Sequence, residues 1–191
     1  MSSLGFRERI LEVAEDGSAL ASSTTATSIL PSSRKVAALP IGYFDRIGRV
    51  LAFDFSGRIS TVATTPGTLT LELRFGSTAV FSSGAMTLNT TAQTNVHWQL
   101  VGELICRAIG ASTSTTLFPK GCKFISHAVI GSAAPTAGTA GTHMLPYNAA
   151  PAVGTGFDNG AVQALDLYAT WSVSNASNSI TLHCGSVDLY S

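Results

Sequence analysis

The sequence predicts an all-β protein, an antiparallel two-sheet jelly-roll sandwich with an extended N-terminal arm. Three observations lead to this prediction: short segments in which apolar and polar residues alternate, turn residues at regular intervals between them, and almost no helical periodicity. The alternation gives about eight strands, and this number and the long connections favour a jelly roll over an immunoglobulin-type sandwich. A closed up-and-down barrel is the main alternative.

The chain divides into an arm, residues 1–38, and a jelly-roll domain, residues 39–191. A chain of 191 residues suits one domain with a single core. Residues 17–38 are rich in Ser, Thr and Ala and contain Pro31, which suits an extended arm better than a core element. In residues 5–15, Phe6, Ile10 and Val13 lie about one helical turn apart, so a short helix and a strand both remain open.

The strand pattern is clearest in two segments. Residues 65–75 alternate after a Pro-Gly turn, and residues 163–173 alternate around a tryptophan. One face of each strand is apolar and the other is mostly polar, as in half-buried antiparallel sheets. We therefore expect Leu71 and Trp171 to be buried between the sheets.

A third strand, in residues 95–110, is apolar on both faces. Trp98, Leu100 and Leu104 alternate with Val101, Ile105 and Ile109. The second sheet can cover one of these faces. We expect a neighbouring subunit to cover the other.

Two connections between strands lack the alternating pattern. Between apolar runs, "NASN" at residues 175–178 predicts a hairpin loop, because Asn and Ser side chains bond the local backbone. Residues 131–160 are rich in Gly, Ala, Pro and Thr and show no period. This composition predicts a long ordered loop or a surface flap.

The charge content predicts association. Charged residues make up 12% of the chain, against about 25% in average globular proteins, and the formal net charge is zero. Because few charged side chains are available to keep a monomer soluble, we expect much of the surface to lie inside an assembly. The same balance argues against nucleic-acid binding, which needs clustered Lys and Arg.

The start of the chain lacks the apolar core of a secretory signal, and no segment matches a membrane span. We therefore expect a protein made in the cytoplasm without a membrane partner.

Catalytic and metal-binding patterns are weak, and we expect neither an enzyme nor a cofactor. The four histidines are scattered, without the spacing that places two metal ligands together. The acidic residues fall mostly at outward strand positions, where solvated or paired carboxylates are common. The three cysteines, Cys106, Cys122 and Cys184, lack metal-type spacing, so we expect buried thiols; a disulfide is open but not indicated.

Residues 39–86, 97–110 and 164–190 resemble small tailed-bacteriophage virion proteins with one jelly-roll domain. The phrases "TPGTLTL" and "WSVSNASNSITL" carry much of this resemblance. The chain is similar to the trimeric decoration, or cement, proteins of phage heads and more distantly to tumour-necrosis-factor-type trimers.

The resemblance implies a non-enzymatic structural protein made in the host cytoplasm and located on the virion head surface. Its partners would be itself, as a homotrimer, and the major capsid protein. It also implies an N-terminal arm that grips neighbouring subunits. Within this arm the candidate contacts are Phe6, Ile10, Arg34 and Lys35.

The alternative function is a tail or head-fibre module that binds host-surface carbohydrate. Such a module presents aromatic and acidic residues on one open loop surface, where sugars stack and form hydrogen bonds. The candidates for this surface are Tyr147, Phe157, Asp158 and Asn159.

Overall fold

The computed structural model describes residues 6–35, 38–131 and 140–190. These residues form antiparallel strands joined by turns and loops. The strands are β1 (Arg7–Val13), β2 (Leu20–Ala21), β3 (Thr27–Ser28), β4 (Ala38–Leu39), β5 (Val50–Thr61), β6 (Thr68–Phe75), β7 (Thr78–Ser82), β8 (Met86–Thr87), β9 (Gln93–Ala108), β10 (Thr116–His127), β11 (Ala140–Met144), β12 (Gln163–Trp171) and β13 (Ser179–Tyr190).

Within the described residues the strands form two sheets. The first sheet has the order β1-β13-β5-β9-β10-β11, and β2 also pairs with β13. The second has the order β3-β12-β6-β7, with β4 paired to β12 and β8 to β6. The predicted fold class, an all-β antiparallel two-sheet sandwich, is confirmed.

Alternation along the strands fills the space between the sheets. In β6 every second residue is buried, from Leu69 to Phe75, and β12 follows the same pattern from Leu165 to Trp171. Leu71 and Trp171 are both buried in the core, as expected. The indole nitrogen of Trp171 donates to the carbonyl oxygen of Leu20 at 3.2 Å, so its one polar atom is satisfied inside the core.

The "NASN" connection is not a hairpin, and this part of the prediction is wrong. β12 pairs with β3, β4 and β6, whereas β13 pairs with β1, β2 and β5, so the chain crosses from one sheet to the other between them. The connection between β5 and β6 also crosses between the sheets, in the opposite direction. Two arches therefore lie side by side, and Gly67 lies where they meet. Its φ is 78°, and a Cβ atom there would collide with Ser172 and Val173.

Asn178 joins the two arches. Its side chain is fully buried, its Nδ2 donates to Pro66 O at 3.0 Å, and its Oδ1 accepts from Val62 N at 2.9 Å. Its own backbone nitrogen donates to Asn175 O at 3.0 Å. One amide thus satisfies polar backbone groups of the neighbouring arch that would otherwise be buried without partners.

We predict that Asn178→Ala lowers the free energy of unfolding by about 2–3 kcal/mol, because it leaves the part-buried N–H of Val62 and the buried C=O of Pro66 without their partner. Ser177→Ala, at an exposed side chain in the same turn, should change stability by less than about 0.5 kcal/mol. Urea denaturation of both variants measures the difference. Equal stability of the two variants would contradict the role given to Asn178.

The N-terminal segment belongs to the sandwich. We expected residues 1–38 to form an arm, with residues 5–15 either a helix or a strand. β1 pairs with β13 from Arg7, so these residues form a strand of the first sheet. The segment's apolar residues are sparse in sequence, yet several of them point into the core. The buried ones are Leu11, Val13, Leu20, Ile29 and Leu30.

We predict that deletion of residues 1–38 abolishes cooperative unfolding. The five buried side chains each contribute about 1.5–3 kcal/mol, together close to the whole stability of a typical domain. As a milder variant, Ile29→Ala should cost about 2–5 kcal/mol, while the exposed Thr24→Ala serves as its control. A deleted chain that melts like the full one would show that the segment is a detachable arm.

A β-bulge changes which residues of β13 face the core. The register with β5 shifts between Leu182 and Cys184. Ile180 and Leu182 are buried, whereas Cys184, which we expected to be buried as well, is exposed. An extra residue in one strand reverses the alternation beyond it.

The segment 131–160 contains a strand that its composition concealed. β11 pairs with β10 along Lys123–His127 and forms an edge of the first sheet. Gly, Ala and Thr predominate around it, so no apolar alternation marks it in the sequence. Part of the predicted loop, residues 132–139, lies outside the described residues.

Candidate interaction surface

Exposed apolar side chains are concentrated at one end of the sandwich. Of seven large apolar residues that are exposed in the described ranges, five lie at the end where β1, β5, β10 and β12 begin. We call these five the apolar end. They are Phe6 (57% exposed), Ile41 (65%), Ile47 (65%), Ile109 (38%) and Val162 (62%).

Pairing of the strands brings these residues together from distant parts of the sequence. Arg7 pairs with Tyr190, Tyr190 with Val50, and Val50 with Ile105, so the start of β1 and the end of β9 lie at the same end. In the second sheet β12 begins at this end, beside the end of β6. The loops that precede β5 and β12 and follow β9 therefore meet here.

Asn159 fastens these loops to one another. Its side-chain Oδ1 accepts from Phe44 N at 3.1 Å, and its Nδ2 donates to Phe44 O at 2.9 Å. Its backbone oxygen accepts from Gly42 N at 2.7 Å, and its backbone nitrogen donates to Gly110 O at 3.3 Å. Three loops thus share one asparagine, which limits their backbone freedom.

A layer of aromatic rings supports the loops from beneath. Phe44 packs against Phe157 with ring centroids 5.6 Å apart, and Phe157 meets Phe75 edge-on at 4.8 Å. All three rings are buried. Edge-to-face pairs of this kind add to the gain from burial, so the loop backbone is anchored in the core.

A second set of contacts ties the loop before β5 to β1. Arg49 donates to Tyr43 O at 2.6 Å and to the Asp45 carboxylate at 3.0 Å, and the Tyr43 hydroxyl donates to Glu8 at 3.1 Å. Burial, reinforced by the hydrogen bond to Glu8, raises the pKa of Tyr43 above its ordinary value. The phenol therefore stays protonated and keeps its role as a donor.

The four candidate contacts of the predicted arm do not form one surface. Phe6 lies at the apolar end, and Ile10 is half-buried against the core at the bulge of β1. Arg34 and Lys35 lie in or beside the turn after β3, where Arg34 is 3.4 Å from Glu15. Glu15 follows the far end of β1, so Arg34 lies a strand's length away from Phe6. The charge of Lys35 acts on Asp166 of β12, where it opposes the rise that burial causes in the pKa of that carboxyl.

The candidate carbohydrate-binding residues are also dispersed. Phe157 is 3% exposed and its ring is part of the aromatic layer, and the amide of Asn159 is engaged with Phe44. Asp158 accepts from the backbone of Gly160 at 2.7 Å. Tyr147 alone retains a partly open ring, packed against His143 at 6.3 Å between centroids.

Titratable groups in the described residues form no metal centre. No group of three or more His, Cys, Asp or Glu side chains there could hold a metal ion. The most buried carboxylate, Asp188, is bound by Arg7 at 2.8 Å and Arg9 at 2.6 Å. Burial alone raises the pKa of Asp188, but the hydrogen bonds from both arginines outweigh it and lower the pKa. This arrangement anchors β1 to β13.

Two of the three cysteines are buried thiols. Cys106 and Cys122 are buried and unpaired as disulfides, and burial raises the pKa of Cys122 to about 11. We expected all three thiols to be buried, but Cys184 is exposed, with its Sγ 3.0 Å from the Ser56 hydroxyl.

Comparison with known proteins gives no relative. The chain matches no family model, no curated protein and no solved structure at a significant level. In the described ranges no helix is suited to crossing a membrane. The apolar end gathers five of the seven exposed large apolar residues in the described ranges. Sequence reasoning missed it because Ile41, Ile109 and Val162 come from three separate loops.

We predict that Asn159→Ala lowers the free energy of unfolding by about 1–3 kcal/mol and speeds proteolysis in residues 40–49, because Phe44 loses both partners. Thermal denaturation and limited proteolysis measure the two effects. Thr155→Ala, at an exposed loop position, is the control. Unchanged cleavage in Asn159→Ala would mean that other contacts fasten the loops.

Proposed function

We propose that this protein is a non-enzymatic virion structural protein that decorates and stabilises a phage head. It acts as a trimer, and its main partner is the major capsid protein on the head surface. The observation that carries the proposal is the apolar end: five exposed large apolar side chains on loops that are braced from within. The likeness in sequence to decoration proteins points in the same direction.

The apolar end, whose loops are already held in place, suits binding to a folded protein. Exposed apolar patches of this kind are typical of protein interaction sites. Because Asn159 and the aromatic layer already fix the loops, little backbone entropy is lost on docking. Charges of both signs lie beside the apolar end, as in the adjacent Asp45 and Arg46. The electrostatic potential there therefore does not favour a partner of one particular charge.

The mode of attachment differs from a free gripping arm. Residues 7–13 form a sheet strand, and the buried residues between Leu11 and Leu30 hold the N-terminal segment on the sandwich. We therefore assign the capsid contact to the preformed apolar end, where Phe6 is one of the exposed residues. Arg34 lies beside Glu15, beyond the far end of β1 from Phe6, so we leave it out of this contact.

We predict that Ile41→Asp and Ile47→Asp together abolish binding to the head. A carboxylate buried in an apolar contact loses its hydration without gaining a partner, and each change alone should weaken binding by about tenfold or more. Shells assembled without this protein are incubated with each variant and sedimented, and the bound fraction is measured. The fold should persist, because both positions are exposed in loops.

Val153→Asp is the matched control, because it adds the same charge at an exposed apolar residue outside the apolar end. It should bind shells like the unchanged protein. The proposal fails if the Ile41 and Ile47 double variant sediments with shells as fully as the control. Binding to host-cell polysaccharide instead of shells would support the carbohydrate-binding alternative.

A further inference from the structure

Asn159, which fastens the loops of the apolar end, is followed by Gly160. It is the one asparagine of the six in the chain that precedes a glycine. Asparagine is among the chemically labile residues, and a following glycine favours its deamidation. The reason is steric: without a side chain beside it, the backbone nitrogen of glycine can reach the side-chain carbonyl carbon of the asparagine.

Deamidation at this position needs only the chain and water. The backbone nitrogen of Gly160 gives up its proton to a base in solution and bonds to Cγ of Asn159. The bond from Cγ to Nδ2 breaks, and that nitrogen takes up a proton and leaves as ammonia. The succinimide ring then adds water and opens at either of its two carbonyl carbons, so aspartate or isoaspartate replaces the asparagine.

In the folded chain a hydrogen bond holds each of the reacting groups. Oδ1 of Asn159 accepts from Phe44 N at 3.1 Å, and its Nδ2 donates to Phe44 O at 2.9 Å. The backbone nitrogen of Gly160 donates to the carboxylate of Asp158 at 2.7 Å. These three hydrogen bonds must break before the nitrogen can approach Cγ, so the folded arrangement slows the reaction.

The turn that carries these groups can open while the sandwich stays folded. Its residues, 158–162, are all half-buried or exposed. Before the turn, Phe157 exchanges backbone hydrogen bonds with Thr115 in both directions, at 2.9 and 3.1 Å. After the turn, Gln163 pairs with β4. A short surface unit between two fixed points is of the kind that opens locally.

We propose that Asn159 is a deamidation site that reacts when this turn opens, and that its conversion releases the loops that it fastens. Aspartate can still accept from Phe44 N, but it has no N–H to donate to Phe44 O and sets a negative charge against that oxygen. Isoaspartate carries the backbone through the former side chain, which changes the geometry of the main-chain bonds to Gly42 and Gly110. The inference goes beyond the proposed function and does not depend on what the apolar end binds.

Either product also places a carboxylate at the apolar end. Gly42, the neighbour of Ile41, donates its N–H to Asn159 O at 2.7 Å, and Val162 follows three residues after Asn159. A negative charge therefore enters beside exposed apolar side chains, where contact with a partner would remove its hydration. Deamidation thus changes this surface in two ways, because it loosens the loops and charges them.

Incubation of the full chain in mildly alkaline buffer, with and without urea, tests the inference. Each conversion replaces an NH2 group by OH, and mass spectrometry of proteolytic peptides locates the increase in mass. Asn159 should convert in both samples, about tenfold or more slowly in the folded chain than in urea. The five other asparagines, which precede Thr, Val, Ala or Ser, should stay largely intact and serve as internal controls.

Two variants separate the effect of the fold from that of the chemistry. Asp158→Ala removes the acceptor of Gly160 N, so it should speed conversion of the folded chain about threefold or more and change the rate in urea much less. Gly160→Ala places a methyl group beside the attacking nitrogen and should slow conversion in both samples. Its Cβ atom would lie 3.0 Å from the Asp158 carboxylate, the end of a side chain that can move aside.

The effect on the loops is measured on converted protein, which ion exchange separates by its added charge. Converted protein and the variant Asn159→Asp should both be cleaved in residues 40–49 about threefold or more faster than the unchanged chain.

Three results overturn the inference. They are a folded chain that converts as fast as the chain in urea, a folded chain whose Asn159 stays intact for about a hundred half-lives of the chain in urea, and converted protein that is cleaved no faster than the unchanged chain. Head binding enters none of these measurements, so failure of this inference and failure of the proposed function are distinguished.

Discussion

The fold depends on one buried amide, that of Asn178, which holds two arches in contact. Each arch carries the chain from one sheet to the other, and the strands that leave them pair as β5 with β13 and β6 with β12. A shift of one residue in either pair would turn every apolar side chain of that strand away from the core. Fixing the arches therefore fixes the register on which burial of Leu71 and Trp171 depends.

The same register determines which loops meet at the opposite end of the sandwich. The strands that leave the arches in register also finish in register, so loops from separate parts of the chain meet around Asn159 and the ring of Phe44. The two ends use the same device, a side-chain amide that bonds backbone groups of another loop. They differ in what they leave exposed: the arch end closes upon itself, whereas the other end leaves Ile41, Ile47 and Val162 open.

Local sequence patterns predicted the buried faces of strands, which depend on alternation. They failed where the structure depends on which distant strands pair. The alternation in β6 and β12 predicted their buried faces correctly. The seven residues between β12 and β13 fit a hairpin or an arch equally well, because only the choice of partner strands separates the two. Cys184 was misplaced because a bulge leaves no mark in composition. The N-terminal segment was predicted to be an arm because its apolar residues are few and widely spaced. Only its pairing with β13 and β12 shows that several of them are buried in the core.

The apolar end and the proposed trimer are connected through the number of contacts that a shell would receive. Asn159 and the aromatic layer already hold the loops of the apolar end, so each contact made by this surface would lose little backbone entropy. If three copies turn this end to the same side, as the proposed function requires, the second and third contacts are intramolecular once the first has formed, and a weak single contact becomes a tight one. Copies kept apart would retain intact apolar ends and still hold a shell poorly.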